Sequence, residues 1–132
     1  MHILNENKSL KQLSEILGFE NVQTDAKIER IIFNSKIAKE GDLFIPLKGN
    51  NHDAEDFVEE VLQKGASVIT KQKIFGNTIV VDDVYNSLLD ICANKLFESK
   101  AKVIFITGSY GKTTLKDMLK SLLGDKLSLI HI

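Results

Sequence analysis

Residues 103–119 read VIFITGSYGKTTLKDML, and this stretch indicates the class of fold. Val103 to Ile106 is an unbroken run of β-formers, which predicts a parallel strand buried on both faces. The chain then turns through Thr107–Gly111, and a helical pattern begins at Lys112. A strand, a glycine-bearing loop and a helix N-terminus with Lys and Thr form the layout of a nucleotide phosphate loop.

Each part of this loop suits a phosphate group. Gly108 and Gly111 let backbone N–H groups face inward, and the helix dipole adds partial positive charge. The Lys112 ammonium would reach the β- and γ-phosphates, and the Thr113 hydroxyl would bind Mg²⁺. The spacing is T-G-x-x-G-K-T-T, shorter than the usual G-x-x-x-x-G-K-[ST], because Ile106 stands where the first glycine would be. The alternative is an ordinary strand-to-helix turn, which explains neither the two glycines nor the Lys-Thr-Thr run.

Size and composition limit the classes of protein to consider. The chain has 132 residues, enough for one domain or for one small domain and part of another. Its 43% apolar and 27% charged residues are typical of a soluble globular protein. The net charge of −1 and the scattered lysines favour neither nucleic acid nor a membrane as partner. Without an apolar run near ~20 residues or a signal sequence, the expected location is the cytoplasm.

The rest of the chain alternates between strand and helix patterns. Ser9 with Gln12 three residues later predicts a capping box, and Gly18 predicts the end of that helix. Pro46 has no N–H for a ladder, so its strand is expected to lie at a sheet edge or to end there. Strands are predicted over 27–33, 43–47, 66–70 and 78–81, and helices over 9–17, 54–64 and 84–98.

This alternation predicts an α/β fold with two domains. Residues 99–102 form a polar break, so residues 1–98 are expected to form one domain and residues 99–132 the beginning of another. Asp53 is predicted to cap the helix over 54–64, with Phe57 facing inward. Cys92 and Leu96 are likewise predicted to face the core from the helix over 84–98.

The phosphate loop also carries a family resemblance. Residues 107–114 resemble the ATP loop of the Mur ligases, the ATP-dependent amide-forming enzymes of peptidoglycan precursor synthesis. Ser109 and Lys116 resemble the D-alanyl-D-alanine-adding members of the family. The tripeptide-forming members more often read T-G-T-N-G-K-T-T at this loop.

A second segment supports the same resemblance. Asn34-Ser35-Lys36, then GDLFIPLKG at residues 41–49, then HDAEDF at residues 52–57 are similar to the UDP-binding domain of these ligases. The usual pattern is D-S-R, then G-D-L-F-x-A-L-K-G, then F-D-G-H-D-F. Two motifs in the right order are far more specific than either alone.

The resemblance implies a fold, a reaction and a set of sites. The fold would be a small UDP-binding α/β domain followed by the first strand, loop and helix of a phosphate-loop domain. ATP would phosphorylate a UDP-N-acetylmuramoyl-peptide carboxylate, and D-Ala-D-Ala would then displace phosphate from it. Lys112 would be catalytic, Thr113 would bind Mg²⁺, and the chain would be a monomer. The implied ATP-binding residues are Thr107, Gly108, Ser109, Tyr110, Gly111, Lys112, Thr113 and Thr114, and the implied UDP-binding residues are Asn34, Ser35, Lys36, Lys48 and Gly49.

Several positions depart from the family pattern, and other functions stay open. Asn34 and Lys36 replace the Asp and Arg of D-S-R, and Ala54 and Glu55 replace Gly and His of the later motif. A lysine keeps the charge of an arginine but loses its planar fork. Family members are several times longer, so the chain is expected to be an N-terminal fragment that is inactive alone. The alternatives are a tripeptide synthetase fragment, a non-catalytic UDP-sugar-binding domain and, ranked lower, a folylpolyglutamate-synthase-like ATPase.

Overall fold

The sheet of this protein consists of short strands whose order in space is their order along the chain. The structure is a computed structural model and describes residues 3–49 and 53–124. The strands are β1 Ile3–Asn5, β2 Arg30–Ile32, β3 Asp42–Phe44, β4 Ser67–Thr70 and β5 Thr78–Val80. β1 is antiparallel to β2, and β2 through β5 are parallel to their neighbours. The predicted α/β class is confirmed, and β1 is a strand that the sequence pattern did not predict.

The first helix begins and ends where local chemistry predicts. Ser9 Oγ accepts a hydrogen bond from the Gln12 N–H at 3.2 Å, and Gln12 Oε1 accepts one from the Ser9 N–H at 2.8 Å. Gly18 then ends the helix in the left-handed region, with φ of 76°. The helices are α1 Leu10–Leu17, α2 Val58–Gln63, α3 Val84–Ser99 and α4 Lys112–Leu123, with 3₁₀ turns at Ser35–Ile37 and Ala54–Phe57.

Apolar residues cover both faces of the sheet. Alternate strand residues point to opposite faces, so adjacent positions such as Ile31 and Ile32 belong to different cores. One core lies against α1 and α3 and contains Leu10, Leu13, Ile31, Leu43, Ile69, Ile79 and Ile91. The other lies against α2 and contains Ile32, Phe44, Val58, Val61, Ala66 and Val68. Burial on both faces is the arrangement that a parallel sheet requires.

Polar contacts secure the β5 edge of this sheet and the pairing of β2 with β3. Asn21 hydrogen-bonds Val80 of the edge strand β5, donating to its C=O at 2.9 Å and accepting from its N–H at 3.2 Å. Between β2 and β3, Arg30 grips the buried Asp42 carboxylate through Nε and one terminal nitrogen, each at 2.7 Å. The Asp42 side chain also accepts from the Lys39 N–H at 3.0 Å, so its buried charge is fully paired.

A buried carboxylate joins α3 to the segment before α1. The Glu6 side chain has no exposed surface and accepts from Lys95 Nζ at 3.1 Å and from the Asn7 N–H at 2.8 Å. Lys8 Nζ lies 3.9 Å from the same carboxylate and 2.6 Å from Glu98. Burial alone would raise the pKa of Glu6, but the Asn7 N–H, Lys95 and Lys8 together hold it below the ordinary glutamate value.

The described residues divide into two compact units, one ending at Ser99 and one beginning at Lys100. In the second unit, residues 101–108 form neither strand nor helix, so the predicted strand at Val103–Ile106 is wrong. A strand is held by ladder hydrogen bonds to a neighbouring strand, and the described part of this unit contains no strand that could pair with it. Phe105 in this run is 84% exposed rather than buried.

Three side-chain expectations in the first unit are also wrong. Phe57 is 38% exposed, because it ends a 3₁₀ turn rather than occupying the core face of α2. Cys92 and Leu96 are exposed, because the covered side of α3 is the one that carries Val84 and Ile91. An apolar residue in a helical pattern does not by itself show which face is covered.

Pro46 lies after a central strand rather than an edge strand. β3 pairs with β2 on one side and with β4 on the other, so the edge position expected for it is wrong. The alternative expectation, that the strand ends at Pro46, is confirmed because β3 stops at Phe44. The missing N–H of Pro46 therefore falls beyond the ladder.

Candidate nucleotide-binding sites

The carboxyl ends of parallel strands are where α/β proteins bind ligands. Asn34, Ser35 and Lys36 follow β2, and Lys48 and Gly49 follow β3, its direct neighbour in the sheet. The fold therefore places both sets of predicted UDP-binding residues in connections that leave the same edge of the sheet. Asn34, Lys36, Lys48 and Gly49 are exposed, and Ser35 is partly buried.

The first set is held in a defined turn. Asn34 Oδ1 accepts from the Lys36 N–H at 3.0 Å and so caps the 3₁₀ turn that follows β2. The Ser35 carbonyl accepts from Lys64 Nζ at 3.1 Å, and Lys64 also pairs with Glu60 at 2.7 Å. Asn34 thus performs the capping role that the Asp of a D-S-R motif can perform. The Lys36 ammonium stays exposed for a ligand.

Among the described residues, Asn34–Lys36 and the pair Lys48 and Gly49 are connected only by the pairing of β2 with β3. Within residues 3–49 and 53–124, no hydrogen bond or ion pair links Asn34–Lys36 to Lys48 or Gly49. His52, which begins the HDAEDF motif, lies outside the described residues. This part of the sheet therefore carries two exposed ammonium groups and the partly buried Ser35, side chains of the kind that binds a diphosphate.

Glu55, one of the departures from the family pattern, is fully engaged with a neighbouring connection. Its carboxylate accepts from Thr70 Oγ1 at 2.7 Å and from the Lys71 N–H at 3.3 Å. Gln72 Nε2 lies 3.3 Å from both its carboxylate and its carbonyl oxygen. Sequence reasoning missed this group, because its members are 15 to 17 residues apart. The only hint was that a charged residue replaces His at this position.

The second candidate site is the loop before α4. Gly111 precedes the helix in the left-handed region, with φ of 77°, and no side chain caps the first turn. The N–H groups of that turn are therefore available to an anion. Lys112 Nζ donates to the Gly108 carbonyl, which holds the lysine over its own loop. Tyr110 is 96% exposed, so it does not fill the loop.

The residues of this loop fit the chemistry of a nucleotide phosphate with Mg²⁺. Residues 107–114 are all exposed. They include Lys112, the hydroxyl side chains of Ser109, Thr113 and Thr114, and the uncapped N–H groups of the first turn of α4. Among the described residues, no three His, Cys, Asp or Glu side chains gather as a metal site. Mg²⁺ bound to nucleotide phosphates needs few protein ligands, so the single Thr113 hydroxyl is compatible with it.

The first unit also contains a cavity away from the candidate sites. A cavity of about 390 Å³ lies at the amino ends of the parallel strands, beside Glu29, Gly41, Ser67 and Asn77. None of the predicted site residues lines it.

Within the described part of the chain, no helix has the length and apolar character needed to cross a membrane.

Comparison with known proteins identifies relatives over most of this chain. No protein-family model matches it. It is 40% identical over 118 residues to the UDP-N-acetylmuramoyl-tripeptide--D-alanyl-D-alanine ligase of Rickettsia prowazekii, covering 86% of this chain and 26% of that protein. It is 35% identical over 124 residues to the UDP-N-acetylmuramoyl-L-alanyl-D-glutamate--2,6-diaminopimelate ligase of Clostridium tetani, covering 86% of this chain and 25% of that protein.

Solved structures agree with these relatives. A crystal structure of MurF from Acinetobacter baumannii matches with a TM-score of 0.73 and 34% identity, covering 90% of this chain and 28% of that one. The MurF ligase of Thermotoga maritima in complex with ADP matches with a TM-score of 0.64 and 35% identity, covering 76% and 24% respectively. The chain thus spans about a quarter of the length of the proteins it matches, and its fold is that of the MurF N-terminal region.

Proposed function

We propose that this chain, which belongs to the Mur ligase family and is similar to the N-terminal region of MurF, functions as part of a ligase. The proposed ligase adds D-alanyl-D-alanine to a UDP-N-acetylmuramoyl-tripeptide. The observation that carries the proposal is the placement of Asn34–Lys36 and Lys48–Gly49 after neighbouring parallel strands. Two motifs distant in sequence thereby reach one ligand-binding edge.

The first unit would bind the UDP part of the substrate. We assign residues 1–98 as the UDP-substrate domain, with Asn34, Ser35 and Lys36 on one side of the ligand and Lys48 and Gly49 on the other. The exposed ammonium groups would neutralise the diphosphate, while the Ser35 hydroxyl and backbone N–H groups would donate hydrogen bonds to it. The loss of the arginine fork at Lys36 predicts a weaker, less directional contact than a D-S-R motif makes.

Residues 99–132 would begin the ATP-binding domain. The assigned contacts are residues 107–114, with Lys112 at the β- and γ-phosphates and Thr113 as a ligand of Mg²⁺. Bound Mg²⁺ would neutralise phosphate charge. The residues of the chain would contribute orientation, because the helix terminus is uncapped and Lys112 lies over the same loop.

The reaction proposed for the ligase has two chemical steps. The terminal carboxylate of the peptide takes the γ-phosphoryl group of ATP and becomes an acyl phosphate, releasing ADP. The amine of D-alanyl-D-alanine then forms the amide bond as phosphate leaves. The proposal includes a cytoplasmic, monomeric protein, and it assigns to residues 1–132 alone binding rather than the full reaction.

Two other functions have observations in their favour. A diaminopimelate-adding ligase is supported by the 35% identity to the Clostridium tetani protein, but the higher identity and the solved MurF structures favour the first proposal. A UDP-sugar-binding module without catalysis is supported by the unpaired run Val103–Ile106, since the described part of the second unit contains α4 and no strand.

Calorimetric titration of the 132-residue chain tests this proposal. UDP-N-acetylmuramoyl-tripeptide is expected to bind without ATP, and more tightly than the corresponding dipeptide compound, which the diaminopimelate-adding ligases would prefer. Lys48→Met is expected to weaken binding about tenfold by removing one charge-assisted contact. Lys11→Met, at an exposed position of α1, is the matched control. Binding of neither UDP compound would refute the UDP assignment, and a preference for the dipeptide compound would favour the alternative ligase.

A further inference from the structure

One carboxylate ties together two connections at the proposed UDP-binding edge. Glu55 lies in the connection from β3 to α2, which also carries Lys48 and Gly49. Its three hydrogen-bond donors are Thr70, the last residue of β4, and Lys71 and Gln72, which begin the connection from β4 to β5. Because β3 and β4 are neighbours, Glu55 bridges adjacent exits from the sheet.

The anchor of this bridge is rigid. Thr70 is the last residue of β4, and its side chain has no exposed surface. Its hydroxyl donates to Glu55 at 2.7 Å and accepts from the Gln72 N–H at 3.0 Å, so both of its functions are satisfied. The Glu55 N–H in turn donates to Asp53 Oδ1 at 3.2 Å. The turn over residues 70–72 is therefore held by its bonds to Glu55 and by the Thr70–Gln72 bond within it.

The bridge also fixes the backbone next to an exposed lysine. The Glu55 carboxylate accepts hydrogen bonds from a hydroxyl, a backbone N–H and an amide, which satisfy its oxygens and hold it against the turn over residues 70–72. The same contact fixes the backbone of Lys71, whose side chain is exposed. One interaction thus satisfies the Glu55 carboxylate and fixes the backbone that carries an exposed cation.

We propose that Glu55 is a positioning residue: by holding the Thr70–Gln72 turn, it places Lys71 as a further cation for the diphosphate of a UDP-linked ligand. This inference rests on the proposed UDP-binding function and extends it to a third strand end. Lys71 contacts the ligand, and Glu55 acts through Lys71.

The test uses UDP itself as the probe and the full chain. Thr70→Val removes the hydroxyl while keeping the shape of the side chain, and it is expected to raise the Kd for UDP about tenfold. Thr70→Ser restores the hydroxyl and is expected to bind within about twofold of the unmodified chain. Glu59→Gln, an exposed carboxylate in the first turn of α2, is the matched control for Glu55→Gln.

Two readouts separate positioning from mere stabilisation. Hydrogen exchange of the Lys71 and Gln72 amides is expected to quicken about tenfold in Thr70→Val and in Glu55→Gln. Lys71→Met is expected to weaken UDP binding about tenfold, and Thr70→Val combined with Lys71→Met to bind no more weakly than Lys71→Met alone. That non-additivity is what action through Lys71 requires.

The outcomes distinguish this inference from the function on which it rests. Lack of UDP binding by the unmodified chain would overturn the UDP assignment itself, before any variant is measured. Normal binding by the unmodified chain, with unchanged Kd in Thr70→Val or Glu55→Gln despite faster exchange, would overturn the positioning role alone. Fully additive losses in the double variant would overturn the route through Lys71.

Discussion

Replacing Lys95 with methionine is expected to destabilise the first unit by about 2 kcal/mol at pH 7. The pair that it breaks joins Lys95 Nζ to the Glu6 carboxylate at 3.1 Å, and the Glu6 side chain has no exposed surface. Methionine keeps most of the apolar stem of lysine, so the loss reports the charge rather than the packing.

The magnitude follows from how much of the pair is buried. Removing one partner of a fully buried pair costs about 3–5 kcal/mol, whereas an exposed pair contributes about 0.2–1 kcal/mol. Lys95 is one-third exposed, and Glu6 would keep the Asn7 N–H and the more distant Lys8, so an intermediate value of about 2 kcal/mol is expected. In a unit of this size, that corresponds to a fall in Tm of roughly 8–16 °C.

The pH dependence provides the sharper test. Because the pKa of Glu6 is lower in the folded chain than in the unfolded chain, its contribution is present above the ordinary value near 4.5 and is lost as the pH falls through the folded value. Urea unfolding at pH 7 and at pH 3 should therefore show a large difference between the unmodified chain and Lys95→Met at pH 7 and a small one at pH 3. An equal difference at both pH values would refute the role of the Glu6 charge. Lys11→Met, exposed on α1, should change stability by less than about 0.5 kcal/mol.

Two further predictions concern the edge strand and the single cysteine. Asn21→Ala removes two hydrogen bonds to Val80 and should cost about 1–2 kcal/mol in urea unfolding. Size-exclusion chromatography of this variant should reveal self-association through the uncovered edge of β5, and unchanged stability with a monomeric profile would contradict this account. Cys92 is exposed, yet partial burial of its thiol raises its pKa, while Lys95 acts in the opposite direction. The rate of alkylation by iodoacetamide should therefore still rise above pH 9, and at pH 8 it should be lower in Lys95→Met than in the unmodified chain. A rate that levels off below pH 8 would contradict this.

Local chemistry made part of this fold predictable. The capping box at Ser9 and Gln12 and the glycine at position 18 depend on residues a few positions apart, and the structure contains both. Asp53 caps the 3₁₀ turn Ala54–Phe57 rather than the predicted helix over 54–64, because the α-helix begins only at Val58. The strands β2 to β5 were located correctly but are shorter than their apolar runs, because pairing with a neighbour decides where a ladder ends. Phe33 and Ile45 extend the runs without extending the strands.

Contacts between distant residues could not be predicted in the same way. Val103–Ile106 has the composition of a buried strand, but composition cannot supply the neighbouring strand that the described part of that unit lacks. The burial of Glu6 depends on Lys95, 89 residues away, and the engagement of Glu55 depends on Thr70. For the candidate sites, the motifs indicated which residues to examine, whereas only the fold placed two of those sets at one sheet edge.

The strand order implies a route by which the first unit can form during synthesis. Each parallel pair joins segments that leave the ribosome consecutively, so the sheet from β2 to β5 can assemble in the order of translation. The exception is α3, which is made last in this unit and packs against α1, made almost first. Until α3 emerges, Leu10 and Leu13 lack the contact with Ile91, and Glu6 is a carboxylate without Lys95. Completion of α3 therefore closes the nascent domain, and a ribosome paused before residue 95 would hold it open to chaperones and proteases.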